Sequence, residues 1–168
     1  MPAQKILLYP HPLLKTLCRP VGGIDGEIAA LIGDLIDTMR EGPGSVGVAA
    51  PQIGVTLRVC VVDVSASRQG RENNHGLLVM VNPEIRERAG SAIMREGCMS
   101  VPDYTGDVER ATEITVGFVD GDGNSCEVRA SGFEAVAIQH EMDHLDGVLF
   151  LDRIASLKTG LFRRKSYR

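Results

Sequence analysis

The chain has 168 residues, a length that ordinarily folds as one domain burying roughly 70% of its unfolded surface. Eighteen Lys and Arg against 22 Asp and Glu leave a net charge of -4, which argues against a basic field for nucleic acid and against sequence-specific binding to it. The longest aliphatic runs, such as Leu77 to Val81, are too short to cross a bilayer, and the proline-broken start lacks a small-residue cleavage site, so a cytoplasmic location away from membranes is expected.

Ile28, Leu31, Ile32, Leu35, Ile36 and Met39 recur at three- and four-residue steps, which predicts an amphipathic helix entered near Asp25 and ended before Gly42. Gly42 to Gly47 spells GxGxxG, but it follows a helix where a dinucleotide site needs a strand, and Pro51 interrupts the helix that should come next. Ser45 to Gln52 instead reads as an extended small-residue stretch. A ligand backbone could approach Gly47 there, and the Gln52 amide could donate to a developing oxyanion.

Short Val-, Ile- and Leu-rich runs predict strands at Leu57 to Asp63, Leu77 to Asn82, Glu113 to Asp120 and Ser125 to Ala130. Ser67 to Gly76 is polar and expected to be a mobile loop. Gly121 to Asn124 predicts a hairpin turn, its likeness to a calcium loop broken by Ser125 and Ser131. Ser131 with Glu134 three residues later predicts a capping box opening a second helix that runs to Gly147, with Phe133, Val136, Ala137, His140 and His144 on its inward stripe. The expectation is an α+β fold: antiparallel sheets around a central helix, with an N-terminal amphipathic helix.

That central helix carries His140-Glu141-Met142-Asp143-His144, the HExxH pattern. Its imidazoles lie about 40° apart around a helix of 3.6 residues per turn, so both can reach one ion. Glu141 stands near enough to act as general base without binding the ion. Asp143 reads either as solvated or as orienting an imidazole.

A catalytic ion needs a third protein ligand. Downstream, Phe150 stands where the longer pattern would place a histidine, and no glutamate follows Glu141. Upstream, Cys98 in Glu96-Gly97-Cys98-Met99-Ser100 is the best candidate, whereas Cys18, Cys60 and Cys126 read as small apolar residues, with no disulfide framework. A thiolate with two imidazoles suits zinc or ferrous iron. The residues alone leave open a peptidase, another amide hydrolase or a metal-stapled binding module.

Three segments, Gly47 to Gln52, Glu96 to Ser100 and Gln139 to Gly147, together closely resemble the signature motifs of the peptide deformylases, and the similarity extends to Asn82-Pro83 and Arg110. The resemblance implies hydrolysis of the N-formyl group from the initiator formyl-methionine of nascent polypeptides, with formate released. It implies Cys98, His140 and His144 as ligands of one divalent ion, ferrous iron with zinc or nickel as substitutes, and Glu141 as the acid and base. It also implies that Gln52 and the Met99 N–H stabilise the oxyanion and that Gly47 pairs with the substrate backbone. Val46, Met99, Val136 and Ala137 are expected to wall the methionine pocket. Ser45, Val48 and Met99 depart from the residues usual in the family, and serine dislikes the backbone angles that glycine can adopt. The tail from Arg153 holds Lys158, Arg163, Arg164, Lys165 and Arg168 and no carboxylate, an expected weak attachment to the ribosome.

Overall fold

A computed structural model describes residues 3–164. Two antiparallel sheets and two substantial helices make up the fold. Helix α1 (Gly26–Glu41) starts where Asp25 accepts the backbone N–H of Ile28, and it buries Ile28, Leu31, Ile32, Leu35 and Met39. It ends at the expected place, but Gly42 is extended rather than left-handed. A β-carbon at Gly42 would meet the sulfur of Met99 and the β-carbon of Ser45.

The larger sheet contains β1 (Gly47–Ala49), β2 (Val59–Val62), β3 (Leu78–Ala89), β6 (Glu113–Val119) and β7 (Ser125–Ser131), in the order β1-β2-β3-β6-β7. The smaller sheet contains β4 (Ala92–Cys98), β5 (Val101–Arg110) and β8 (Leu161–Arg163), in the order β4-β5-β8. Helix α2 (Gly132–Leu145) packs against β1 and β2, and short helices α3 (Phe150–Arg153) and α4 (Leu157–Gly160) follow it.

The unbroken apolar sequence of β2 follows from burial on both faces. Val59 and Val61 meet α1, while Cys60 and Val62 meet α2, as the two-residue period of a strand requires. A third apolar cluster, with Leu14, Val108, Leu149 and Phe150, lies under the small sheet and includes Cys98. The β6–β7 hairpin turns where expected, with Gly123 at positive φ.

Three expectations need correction. Ser131 stands at the start of α2 but its hydroxyl accepts from Asn73, and Glu134 accepts the His75 backbone N–H at 2.7 Å and pairs with its ring. Both members of the supposed capping box therefore bind the 67–76 loop, which is tethered to the helix it precedes in space. The turn into α2 is made by Gly132 at φ +60°. Nor does α2 have a single inward stripe: every residue from Glu134 to Leu145 is buried. Finally, β4 and β5 were not legible as strands, for reasons that lie in the site they build. Among the described residues no helix is long and apolar enough to cross a membrane.

Candidate active site

The end of β4 and the second half of α2 bring three donor groups together. The Cys98 sulfur and one ring nitrogen each from His140 and His144 lie within 4.8 Å of one another, all buried. The two rings are 5.1 Å apart at their centroids and nearly perpendicular, and the Cys98 Sγ is 3.4 Å from His144 Nε2. A thiol and two imidazoles converging at this spacing, with no competing carboxylate among them, form a donor set that fits one tetrahedral divalent ion with a position left open.

The orientation of His140 is enforced from behind. Its Nδ1 meets Glu96 Oε1 at 2.8 Å, which assigns a ring proton to that nitrogen and leaves Nε2 as the nitrogen that could bind an ion. Arg110 donates to both oxygens of Glu96, at 2.7 and 2.9 Å, and to Asp143 at 2.7 Å; Arg153 closes the chain by donating to Asp143 at 2.8 Å. Asp143 is thus buried and paired, not solvated. Burial opposes the charge on Glu96, but the Arg110 and His140 hydrogen bonds prevail and hold its pKa down to about 2. This network also explains why β4 and β5 were missed: strand positions 96 and 110 carry charges that look solvent-facing until they are seen to neutralise each other.

The two imidazoles are pushed in opposite directions. Burial works against a proton on His140, yet its hydrogen bonds to Cys98 and Glu96 hold its pKa well above the usual range. Burial and then the His140 charge push His144 well below it. A cation between the rings would take the place of the His140 proton, since the site cannot hold two positive charges at that distance.

Glu141 projects beside this group, its Oε2 4.0 Å from His140 Nε2. Burial raises its pKa to about 7, with the His140 charge opposing the shift. Gly47 leaves just enough room for it: a β-carbon there would sit 2.7 Å from Glu141 Oε2. Gln52, on the 3-10 turn Ala50–Ile53, is locked by the Ala49 N–H bound to its Oε1. Its Nε2 is thereby aimed at Ser100 Oγ, 3.1 Å, and at the Cys98 sulfur, 3.4 Å.

A cavity of about 270 Å³ opens onto these groups, and Val46, Gly47, Gln52, Met99, Val136 and Ala137 all line it with Cys98, His140 and Glu141. His144 lies deeper, behind Cys98. Every residue expected at the site from the sequence is therefore brought to one place. Met99 is also packed among the apolar side chains that α1 covers. Ser45 does not suffer from its departure, because Gly44 rather than Ser45 has positive φ; the Ser45 hydroxyl donates to the Gly47 carbonyl at 3.3 Å. Phe133, Gln69, Arg95 and Arg164 line the cavity too, and no sequence pattern marked the last three for the site.

Comparison with known proteins shows the family of the chain. A family model described as polypeptide deformylase matches residues 3–160. A peptide deformylase of Thermodesulfovibrio yellowstonii is 41% identical over 165 residues, 98% of this chain and 97% of that protein. One from Alkalilimnicola ehrlichii is 43% identical over 95% of this chain and 86% of its own length. Among solved structures, the Legionella pneumophila peptide deformylase has a TM-score of 0.84 at 39% identity, covering 93% of this chain and 88% of that one. The Ehrlichia chaffeensis enzyme in complex with actinonin has a TM-score of 0.87 at 33% identity, covering 94% and 92%.

Proposed function

The chain belongs to the peptide deformylase family, and from that premise we propose how its own residues perform the family's reaction, hydrolysis of the formyl group from formyl-methionine at the start of new polypeptides. The observation that carries the proposal is the convergence of Cys98, His140 and His144 beside the buried carboxyl of Glu141. When bound there, a divalent ion would polarise the formyl carbonyl and lower the pKa of a water toward about 7 in the zinc case. We assign it as ferrous iron, with zinc or nickel able to substitute; thiolate and imidazole donors suit all three.

Glu141 takes a proton from the attacking water as its oxygen joins the formyl carbon. It then gives that proton to the departing amine nitrogen as the carbon–nitrogen bond breaks, releasing formate and a free methionine amine. A pKa raised by burial lets one carboxyl serve in both directions near neutral pH. The Gln52 Nε2 and the Met99 N–H donate to the carbonyl oxygen as charge develops on it, and Gln52 is held for this by Ala49 before substrate arrives. Glu96 and Arg110 keep His140 in the ligating tautomer.

Gly47 belongs to β1, an edge strand of the larger sheet, so its backbone can pair with an extended substrate on the side away from β2, where the Ser45 hydroxyl now donates to its carbonyl. Val46, Met99, Val136 and Ala137 receive the methionine side chain. The chain works as one domain, residues 1–168, in the cytoplasm, where its substrates are made. Of the basic tail, Arg153 is engaged with Asp143, so any ribosome contact rests on Lys158, Arg163 and the residues beyond 164, outside the described residues. Removing Phe162 to Arg168 should then reduce co-sedimentation with ribosomes at low salt.

The test of the reaction is a comparison of formyl-Met-Ala-Ser with acetyl-Met-Ala-Ser and with a peptide extended before the methionine. Formate from the first and no cleavage of the others supports a deformylase. Equal cleavage of internal bonds would point to a peptidase.

A further inference from the structure

The C-terminal strand reaches the mouth of the cavity. β8 pairs with β5 through Phe162 opposite Thr105, and the Arg164 N–H donates to the Asp103 carbonyl at 2.8 Å. This places the Arg164 guanidinium directly over Gly97, so closely that a β-carbon on Gly97 would overlap its Nη2. Arg95 lies two residues away on the same outward face of β4, its guanidinium stacked 3.6 Å above the Phe162 ring. Both arginines line the cavity that contains Cys98 and Glu141.

Among the described residues the cavity lining sets Arg95 and Arg164 against Glu96 and Glu141. Glu96 is neutralised by Arg110, and Glu141 belongs to the reaction itself. Asp107 faces Arg95 only at 3.5 Å and is half-exposed, which offsets that cation in part. Residues of a strand are spaced about 3.3 Å apart, so a peptide leaving Cys98 along β4 passes Gly97 and reaches Arg95 after about 10 Å, or three residues. A guanidinium has five N–H donors in a fixed fork, so Arg164 can keep a protein partner and still meet a carboxylate.

We propose that Arg164, with Arg95, is a specificity-determining pair that favours substrates carrying a carboxylate two or three residues downstream of the formyl-methionine. The inference rests on the deformylase reading of the cavity. Gly97 is part of the device, since any larger residue would displace the Arg164 head.

The test compares kcat/KM for formyl-Met-Ala-Glu-amide, formyl-Met-Ala-Ser-amide and formyl-Met-Ala-Lys-amide with the metal-loaded enzyme at low salt. The Glu peptide should exceed the Lys peptide by on the order of three- to tenfold, a ratio that shrinks as salt screens exposed charges. Arg164→Ala and Arg95→Ala should each lower the ratio, Arg164→Lys should restore part of it, and Arg164→Glu should invert it. A merely structural role for Arg164 would slow all three peptides alike. A wild-type ratio near one, or a ratio indifferent to both alanine changes, overturns the proposal. Failure to release formate from any of the peptides would overturn the deformylase reading itself, and this proposal with it.

Discussion

The α-carbon of Gly47 rests against the side chain of Glu141, leaving 2.7 Å to Oε2 and 2.8 Å to Cγ from where a β-carbon would stand. An edge strand thus sets the position of the carboxyl proposed to carry the proton. Gly47→Ala must push Glu141 aside while leaving Cys98, His140 and His144 untouched. The expected result is a fall in kcat of about ten- to a hundredfold, as for a misplacement of roughly 1 Å, with metal content unchanged. Steady-state kinetics with metal analysis on the same sample checks it, and an unaltered kcat would show that Glu141 has room the structure does not give it.

On the proposed mechanism, Glu141→Ala removes the proton carrier and no ligand. It should keep stoichiometric metal and lose roughly 10²- to 10⁴-fold in kcat. Near-normal turnover in this variant would assign proton transfer to another group.

The Glu96 carboxyl has a pKa of about 2 in the fold against an ordinary 4.5, so its stabilisation is fully present above about 4.5 and is lost as pH falls toward 2. Glu141 has the opposite sign: raised to about 7, it favours the fold below 4.5, and that contribution is lost as pH rises through 7. In metal-free protein, the stability gap between wild type and Glu96→Gln should therefore close as pH drops from 4.5 to 2. Urea melts across that range measure it; a gap independent of pH would mean that Glu96 is not ionised in the fold.

If Cys98 is the third ligand, it must be a thiolate shielded from alkylation while an ion is bound. Mass-spectrometric mapping should find Cys98 protected in the loaded protein and labelled after chelation. Cys60, buried in the sheet with its thiol pKa pushed well up, should stay unlabelled in both states. Equal labelling of Cys98 with and without chelator would remove it from the ligand set.

Among the described residues the two main helices, four of the eight strands and the histidine pair of α2 were legible from sequence because their signals are local: apolar periodicity in α1, apolar runs in β2 and β6, and HExxH within one turn of α2. What was hidden depends on contacts between distant residues. Glu96 and Arg110 look like surface charges until the β4–β5 hairpin buries them together. The start of α2 was correctly located from Ser131 and Glu134, yet both side chains serve the 67–76 loop instead. β1 and β8 have only three residues each, too few for any period to emerge. Arg164 reaches the cavity mouth through a strand pairing that joins Phe162 to Thr105 across the chain.

The account stands most directly on one measurement: formate released from formyl-Met-Ala by anaerobically purified protein, before chelation, after chelation, and during titration with ferrous iron. Release should be rapid at first, vanish with the ion, and return in proportion to added iron up to one equivalent per chain. Formate release that survives complete removal of metal, or that fails to return with a single equivalent, would contradict a mechanism built on Cys98, His140 and His144.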